Sequence, residues 1–332
     1  MRKLLSNLKN MILLDMNLQM FADPNPQTTG DLSKEMKTWY SDYLIDNAEP
    51  RLVHDQFGQK HPIPQNGGKT IEFRKYSPLP KMLTPLTEGV TPDGQSLTVS
   101  TVEATVQQYG GYITISDVLQ LTAIDNNMMQ ATKLLGSQAG ATLDTITREV
   151  LNGGTNVIYS GGVTSREAVA DVLTVADIKK AARALKVQNA DKIGDSFVAI
   201  IHPDVTYDLT NDPDWKAPHQ YVDTDHMYTG EIGKIAGVRF VETTEAKIWA
   251  NAGSGGKSVY STLVLADNAY GVTEVEGGGL RHIVKQLGSA GTGDPLDQRA
   301  SIGWKAIKVA ERLVEQFMVR IESASTFDGE EN

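Results

Sequence analysis

The chain has 332 residues, of which 40% are hydrophobic and 22% are charged, and its formal net charge is -10 at pH 7. This apolar share predicts a folded core, and the acidic balance argues against tight nucleic-acid binding, which depends on Lys and Arg. The absence of cysteine excludes disulfides, thiolate metal sites and cysteine nucleophiles.

The first thirty residues combine an amphipathic segment with a polar stretch. The apolar run Met11–Leu14 is shorter than the roughly 7-residue core of a signal peptide, and no segment reaches the roughly 18 apolar residues of a membrane span. We therefore expect a soluble cytoplasmic protein. Met1–Asp15 has two interpretations, a short helical arm or upstream sequence with Met16 as the natural start. A helix is predicted over residues 31–58.

A long two-stranded arm is predicted next, with strands at Thr70–Tyr76 and Leu97–Gln108. Four prolines between the strands exclude regular structure there. The apolar alternation of the second strand changes phase near Ser100, which predicts a β-bulge or a twist there. Because an isolated two-stranded hairpin is marginal in water, either its own domain or a neighbouring subunit must cover this arm. The residues predicted to contact a neighbour are Ile71, Phe73, Lys81, Met82, Leu83 and Leu86.

A short helix capped by Ser116 and then a long helix ending at Gly153-Gly154 follow the arm. Apolar residues recur in the long helix at spacings of three and four, at Met128, Ala131, Leu135, Ala139, Leu143, Ile146 and Val150. About 27 residues would span roughly 40 Å, which suits a structural spine.

Helices and strands alternate over residues 155–295, which predicts an α/β block. The predicted elements are a helix capped by Thr174 (Val175–Val187), a buried strand (Phe197–Ile201), a short helix (Asp204–Asn211) and strands at Val238–Val241, Val259–Leu265 and Leu280–Lys285. Two further strands, Ile302–Val309 and Leu313–Glu322, are expected to return to the arm and the long helix. The acidic tail from Ser325 to Asn332 is expected to be frayed.

Sequence motifs give no catalytic, cofactor or metal site. The run Gly253–Ser258 resembles the end of a phosphate-binding loop, but a predicted strand follows it, which favours a hairpin loop. His219 and His226 lie near two aspartates, either as a metal site or as an exposed polar loop. Around one short helix, helix capping and a solvated face explain Asp204, Asp208, Asp212 and Asp214 best. No serine lies in a nucleophile elbow, so a non-enzymatic protein is predicted.

Several segments resemble the major capsid proteins of tailed phages. They are Gly230–Thr243, Val264–Gly271, Asp294–Arg299, Gly303–Lys305 and Val319–Glu322, the last three resembling the N-four-like coat family. Met16–Ala22 is similar to the opening of such proteins in phages of low-GC Gram-positive bacteria, which favours Met16 as the start. The glycines of the turn motif are Gly230, Gly233 and Gly237.

The resemblance implies an α+β fold of the Hong Kong 97 type. The implied parts are an N-terminal arm and helix (1–58), an extended loop (59–115), a peripheral domain with the spine helix (116–155 and 296–325), an axial domain (156–295) and an acidic tail (326–332). It also implies self-assembly through hexamers and pentamers into an icosahedral virion shell, with scaffold and portal proteins as partners. The shell would form in the host cytoplasm and enclose double-stranded DNA without sequence-specific binding, and no membrane, cofactor or small-molecule substrate is expected.

Some members of this family cross-link through a lysine of the extended loop, and Lys69, Lys75 and Lys81 lie there, but no partner motif is present. Two alternatives remain open from the sequence. One is an encapsulin-like nanocompartment with the same fold and a protein cargo. The other is a soluble α/β enzyme or binding protein with a β-rich accessory arm.

Overall fold

The computed structural model describes residues 52–63, 69–76, 79–86, 88–89, 91, 94–122, 127–219, 233–275, 279–289 and 293–332. The predictions for Met1–Asp15, for Met16 and for most of the helix over 31–58 lie outside these ranges. Residues 52–58 are described, and they form a turn instead of the predicted helix. The backbone N–H of His54 donates to the side chain of Asp144, so a tertiary contact takes the place of a helical bond.

The regular elements are numbered here in chain order. The strands are β1 (Gln59–Ile63), β2 (Thr70–Tyr76), β3 (Val99–Thr105), β4 (Gln107–Ser116), β5 (Val157–Tyr159), β6 (Phe197–Ile201), β7 (Lys234–Ile235), β8 (Val238–Glu242), β9 (Ile248–Trp249), β10 (Val259–Leu265), β11 (Tyr270–Val275), β12 (Arg281–Lys285), β13 (Arg299–Arg312) and β14 (Met318–Ser323). The helices are α1 (Asp117–Thr122), α2 (Asn127–Asn152), α3 (Val175–Val187), α4 (Pro203–Asn211) and α5 (Pro213–His219). None of these helices is long and apolar enough to cross a membrane.

Two mixed sheets and a hairpin organise the described chain. The larger sheet has the order β5-β14-β10-β6-β8-β7, with β9 paired to β10, and the smaller has the order β1-β11-β13-β12, with β4 paired to β13. The strands β2 and β3 form the separate arm. One face of the larger sheet packs against α3, α4 and α5, and the other face shares a core with the C-terminal part of α2 and with β11.

The long helix α2 buries residues of the predicted apolar stripe, which confirms that prediction. Ala131, Leu135, Ala139 and Leu143 are buried against the smaller sheet, in one cluster with Trp304 of β13. The helix has 26 residues and so runs for about 39 Å. Its stability therefore comes from this packed face, because a helix of this kind gains little from propensity alone.

The predicted β-bulge near Ser100 is wrong. Strands β2 and β3 pair in unbroken register from Thr70↔Thr105 to Tyr76↔Val99. The chain changes strand at Val106, after which β4 pairs with β13 over ten residues. The misleading signal was Leu97, which precedes the strand and is exposed, so its position carried no information about the buried face.

The two sheets cut across the predicted domain boundaries. Strands β11 and β12 come from the predicted axial segment but pair in the smaller sheet, and β14 comes from the predicted peripheral segment but pairs in the larger one. The last strand also begins at Met318 and not at Leu313, because a turn of 3-10 helix, Glu315–Phe317, precedes it. Glu315 accepts hydrogen bonds from Thr155 there, which ties this turn to the start of β5.

The C-terminal tail is docked, not frayed as predicted. The Ser325 hydroxyl donates to Asp208 at 2.7 Å, and the Gly329 N–H donates to the Tyr260 hydroxyl at 2.8 Å. Asn332 then donates through Nδ2 to the Ala246 carbonyl at 2.7 Å. The tail thus runs from α4 on one face of the larger sheet to the loop after β8. The acidic composition of the tail gave no indication of these hydrogen bonds, which are donated by Ser325, Gly329 and Asn332.

Candidate assembly surface

The base of the arm is fixed to its own chain by Phe73. This side chain is only 5% exposed, and its ring meets the His61 ring edge-on at a centroid distance of 5.3 Å. A Cβ atom added at Gly271 would lie 2.7 Å from the Phe73 ring, so the absence of a side chain at Gly271 makes room for it. Phe73, predicted to contact a neighbour, is therefore buried within its own chain as the anchor of the arm, and Ile71 beside it is half-buried.

The tip of the arm presents apolar side chains to solvent. Met82, Leu83 and Leu86 are 62%, 83% and 75% exposed, and Lys81 is exposed beside them. Full burial of one such Leu or Met side chain contributes about 1.5–3 kcal/mol, so the tip holds several kcal/mol of unrealised stabilisation. Apolar clusters of this kind on a soluble surface are typical of interaction sites.

A second exposed apolar group lies on the short helix α1. Its N-terminus is capped as predicted, with the Leu119 N–H donating to the Ser116 hydroxyl at 3.2 Å. Val118, Leu119 and Leu121 of this helix are nevertheless exposed. The sequence did not reveal this surface, because three apolar residues in a six-residue helix fit one face and do not show whether that face is covered.

A buried polar cluster joins residues 52–58 to α2 and β13. The Nδ1 atom of His54 lies 2.6 Å from Oδ2 of Asp144, and both side chains are almost fully buried. Lys308 forms an ion pair with Asp55 and donates to the Leu143 carbonyl at 2.8 Å. Buried charges persist only when paired, so this cluster fixes the entry of the chain into the smaller sheet. It joins residues about 90 to 250 positions apart, and no local pattern indicates it.

A second ionic cluster ties β14 of the larger sheet to the segment that connects β5 to α3. The buried Glu322 accepts from Arg166 at 2.7 and 2.8 Å and from Arg320 at 2.8 Å. The Arg166 guanidinium also lies 3.6 Å from the centroid of the Trp249 ring. Hydrogen bonding to Glu322 raises the pKa of Arg166 above its ordinary value, whereas burial lowers the pKa of Arg320. Glu322 is thus paired with two arginines of its own subunit, and the cluster stabilises the packing of the sheet.

The loop that resembled a phosphate-binding motif is a hairpin connection, as predicted. Ser254–Gly256 forms one 3-10 turn, and the chain then enters β10, which pairs antiparallel with β9. A strand and not a helix begins after this loop, so the loop does not lead into the helix N-terminus that a phosphate-binding motif requires. In the described ranges no group of His, Asp and Glu could hold a metal ion. His226 lies outside those ranges.

The aspartates around α4 are structural. Asp212 accepts from the Asp214 N–H at the start of α5 at 2.9 Å, which agrees with the predicted helix capping, and it also accepts from the Val175 N–H at the start of α3 at 2.9 Å. Asp204 accepts from the Tyr260 hydroxyl at 2.8 Å, and burial together with this carboxylate raises the pKa of Tyr260. Asp208 is buried and holds the tail through Ser325 and Thr326. The predicted solvated face is therefore wrong for Asp208.

The glycine turn motif forms the tight connection between β7 and β8. Gly233 and Gly237 have φ values of 92° and 84°, and Ala236 between the strands has a φ of 53°. Glycine adopts this left-handed region without a steric penalty, so the two-residue turn depends on Gly237. Gly230 lies outside the described residues.

Comparisons with known proteins identify this architecture. The family model described as "Phage capsid protein" matches residues 98–314, which is more than half of the chain. The capsid of cyanophage Pam1 is similar in structure, with a TM-score of 0.67 at 14% identity over 85% of this chain and 93% of that one. The capsid of Ralstonia phage GP4 gives a TM-score of 0.65 at 15% identity over 84% and 90% of the two chains. No curated protein sequence matches the chain.

These structures share little sequence identity with the chain, so the similarity shows a shared fold. That fold is of the Hong Kong 97 type, as predicted. The family match shows the role and does not favour the nanocompartment alternative. The same match supports a structural role for the chain and does not favour the α/β enzyme or binding protein. The chain therefore belongs to the phage capsid protein family, as a major capsid protein that builds the shell of the virion.

Proposed function

We propose that this chain assembles through hexamers and pentamers into an icosahedral shell around the double-stranded DNA of a tailed phage. Assembly takes place in the host cytoplasm with a scaffold and a portal protein, and the chain has no catalytic activity of its own. The observation that carries this proposal is the arm, which is anchored at Phe73 and presents an apolar tip to solvent.

The arm tip is the proposed contact with a neighbouring subunit. Lys81, Met82, Leu83 and Leu86 supply this contact, together with the exposed part of Ile71. Many modest contacts of this kind add up across a closed shell, because each subunit is held by several neighbours at once. A net charge of -10 suits a wall that encloses DNA without holding it tightly.

The proposed parts of the subunit follow from this arrangement. Residues 1–58 serve as the N-terminal arm, 59–115 as the extended loop, and 116–155 with 296–325 as the peripheral domain, of which α2 is the spine. Residues 156–295 serve as the axial domain, whose turn at Gly233 and Gly237 faces the centre of each ring. The strand exchange of β11, β12 and β14 joins the peripheral and axial parts through shared sheets.

The triple substitution Met82→Ser, Leu83→Ser and Leu86→Ser tests the proposal. The wild-type chain, co-expressed with its scaffold, is expected to elute as particles in size-exclusion chromatography. The variant should elute as free subunits or single rings with an unchanged melting temperature, since these side chains are exposed in the monomer. The matched control is Met82→Leu, Leu83→Met and Leu86→Met, which keeps the apolar tip and should assemble normally. Normal particles from the serine variant would refute the role of the tip.

A further inference from the structure

A groove of about 420 Å3 lies between helix α3 and the turn that joins β7 to β8. Its walls carry three cations and three apolar side chains and no acid, and they comprise Lys179, Ala182, Arg183, Lys186, Val187 and Ala236. Val187 is 60% exposed at one end. The groove therefore combines positive charge with uncovered apolar surface.

The three cations repeat along one face of α3 at intervals of four and three residues, which places them next to one another. Lys179 lies 3.3 Å from Asp214, but both side chains are more than half exposed, so solvent strongly screens this pair. Within the described part of the chain, Arg183 and Lys186 have no acidic partner. Neighbouring like charges repel, so in a chain of net charge -10 this face is suited to an anionic partner.

The docked C-terminal tail combines an exposed aromatic side chain with negative charge. Phe327 is 47% exposed and stacks edge-on against the exposed Tyr207 at a centroid distance of 5.3 Å. Asp328, Glu330 and Glu331 follow it, and all three are exposed. An aromatic side chain followed by carboxylates complements a groove with apolar walls and unpaired cations.

This tail is held in place by its own chain on both sides of the exposed residues. Ser325 and Thr326 bind Asp208, Gly329 binds Tyr260, and Asn332 accepts from Arg148 at 2.9 Å. These bonds fix the tail along the larger sheet and keep it out of the groove of its own subunit. They also present Phe327 and the carboxylates in one conformation, which reduces the entropy lost on binding.

We propose that the tail segment Phe327–Glu331 of one subunit docks into the α3 groove of the next copy of this chain. Phe327 contacts Val187 and Ala236, and the carboxylates pair with Arg183 and Lys186. The contact is heterologous, since two different surfaces of identical subunits meet, and such contacts form a ring when the rotation between copies closes. This inference rests on the proposed function, because it names the contact that joins subunits within a ring.

The absence of cysteine in the chain allows a clean cross-linking test. Two single variants, Lys186→Cys and Glu330→Cys, which lie at a proposed charge pair, are co-expressed, assembled with the scaffold and oxidised. The proposal predicts a band of twice the subunit mass on a non-reducing gel, at least tenfold stronger than with either variant alone. The control replaces Glu330→Cys by Glu167→Cys, another exposed glutamate, and should give no such band. Particles in the electron microscope without the band would overturn the docking proposal and leave the proposed function standing.

Charge reversal gives a second test that does not depend on disulfide geometry. Arg183→Glu with Lys186→Glu, or Glu330→Lys with Glu331→Lys, should slow assembly at least tenfold by light scattering. The melting temperature should fall by at most a few degrees, because Glu331 pairs in its own subunit with Lys247, at 3.8 Å in a partly exposed pair. The combination of all four changes should restore assembly, since the charges are then exchanged. Failure of the combination to restore it would count against the pairing. A wild-type chain that forms no particles with its scaffold would overturn both this pairing and the proposed function.

Discussion

At the residue scale, buried polar pairs determine where the chain can enter and leave the two sheets. His54 and Asp144 hold residues 52–58 on α2, and Glu322 with its two arginines ties β14 to the segment between β5 and α3. Both groups take their partners from within the subunit, although Nε2 of His54 is buried without a hydrogen-bond partner among the described residues. Breaking one leaves a buried group without a partner, which destabilises a protein more than the intact pair stabilises it.

Asp144→Ala is expected to lower the free energy of unfolding by about 2–4 kcal/mol, because His54 then loses the acceptor for both its backbone N–H and its ring. Urea unfolding of unassembled subunits, followed by circular dichroism, measures this change. The exposed Glu167→Ala serves as control and should change the value by less than about 0.5 kcal/mol. Equal unfolding curves for Asp144→Ala and wild type would contradict the assigned role.

The second prediction at this scale concerns pH. His202 caps α4, because its Nδ1 atom accepts from the Asp204 N–H at 3.2 Å. Burial lowers the pKa of His202, and the negative charge of Asp204 offsets only part of this effect. As pH falls below about 6.5, the unfolded chain therefore takes up the proton first. The stabilisation is complete above that pH and is lost as pH falls toward the folded pKa.

His202→Asn keeps a capping side chain but removes this titration. The melting temperature of the variant should match wild type at pH 7.5 and fall less than wild type between pH 7.5 and pH 5.5. Differential scanning calorimetry of the unassembled subunit checks both values. A decline in the variant as steep as in wild type would show that His202 does not titrate in this range.

At the element scale, local patterns predict elements whose stability is local. The predicted bounds Phe197–Ile201 and Val259–Leu265 match β6 and β10, because both are short, mainly apolar segments that are buried on both faces. Thr174 placed the start of α3 correctly through its cap. The docked tail, the His54 cluster and the break at Val106 escaped prediction because each depends on partners far away in sequence.

Gly271→Val should release the base of the arm. The added side chain would occupy the space of the Phe73 ring, which lies 2.7 Å from a Cβ at this position. Overpacking of this kind costs about 1–3 kcal/mol, and moving the ring relieves it. Limited proteolysis should therefore cut the variant within residues 77–98 faster than wild type. Gly94→Ala, where no atom lies within 4 Å, should leave the cleavage rate unchanged. Equal rates for Gly271→Val and wild type would show that Phe73 does not anchor the arm.

At the scale of the whole molecule, two sheets joined by α2 form a single body from which the arm extends. Strand β11 belongs to the proposed axial domain but lies in the smaller sheet, and β14 belongs to the proposed peripheral domain but lies in the larger sheet. Neither domain therefore completes its sheet without a strand from the other. A stiff body with a separate arm suits a subunit that must meet neighbours at slightly different angles in one closed shell. The uncovered apolar tip and the paired basic and acidic surfaces are the features that assembly would cover.

Negative-stain electron microscopy of the wild-type chain, purified after co-expression with its scaffold protein, tests the central claim most directly. The account predicts closed, hollow particles of uniform diameter whose walls show rings of five and six subunits. A product that remains monomeric at every concentration would contradict the assignment of this chain as a shell-building subunit.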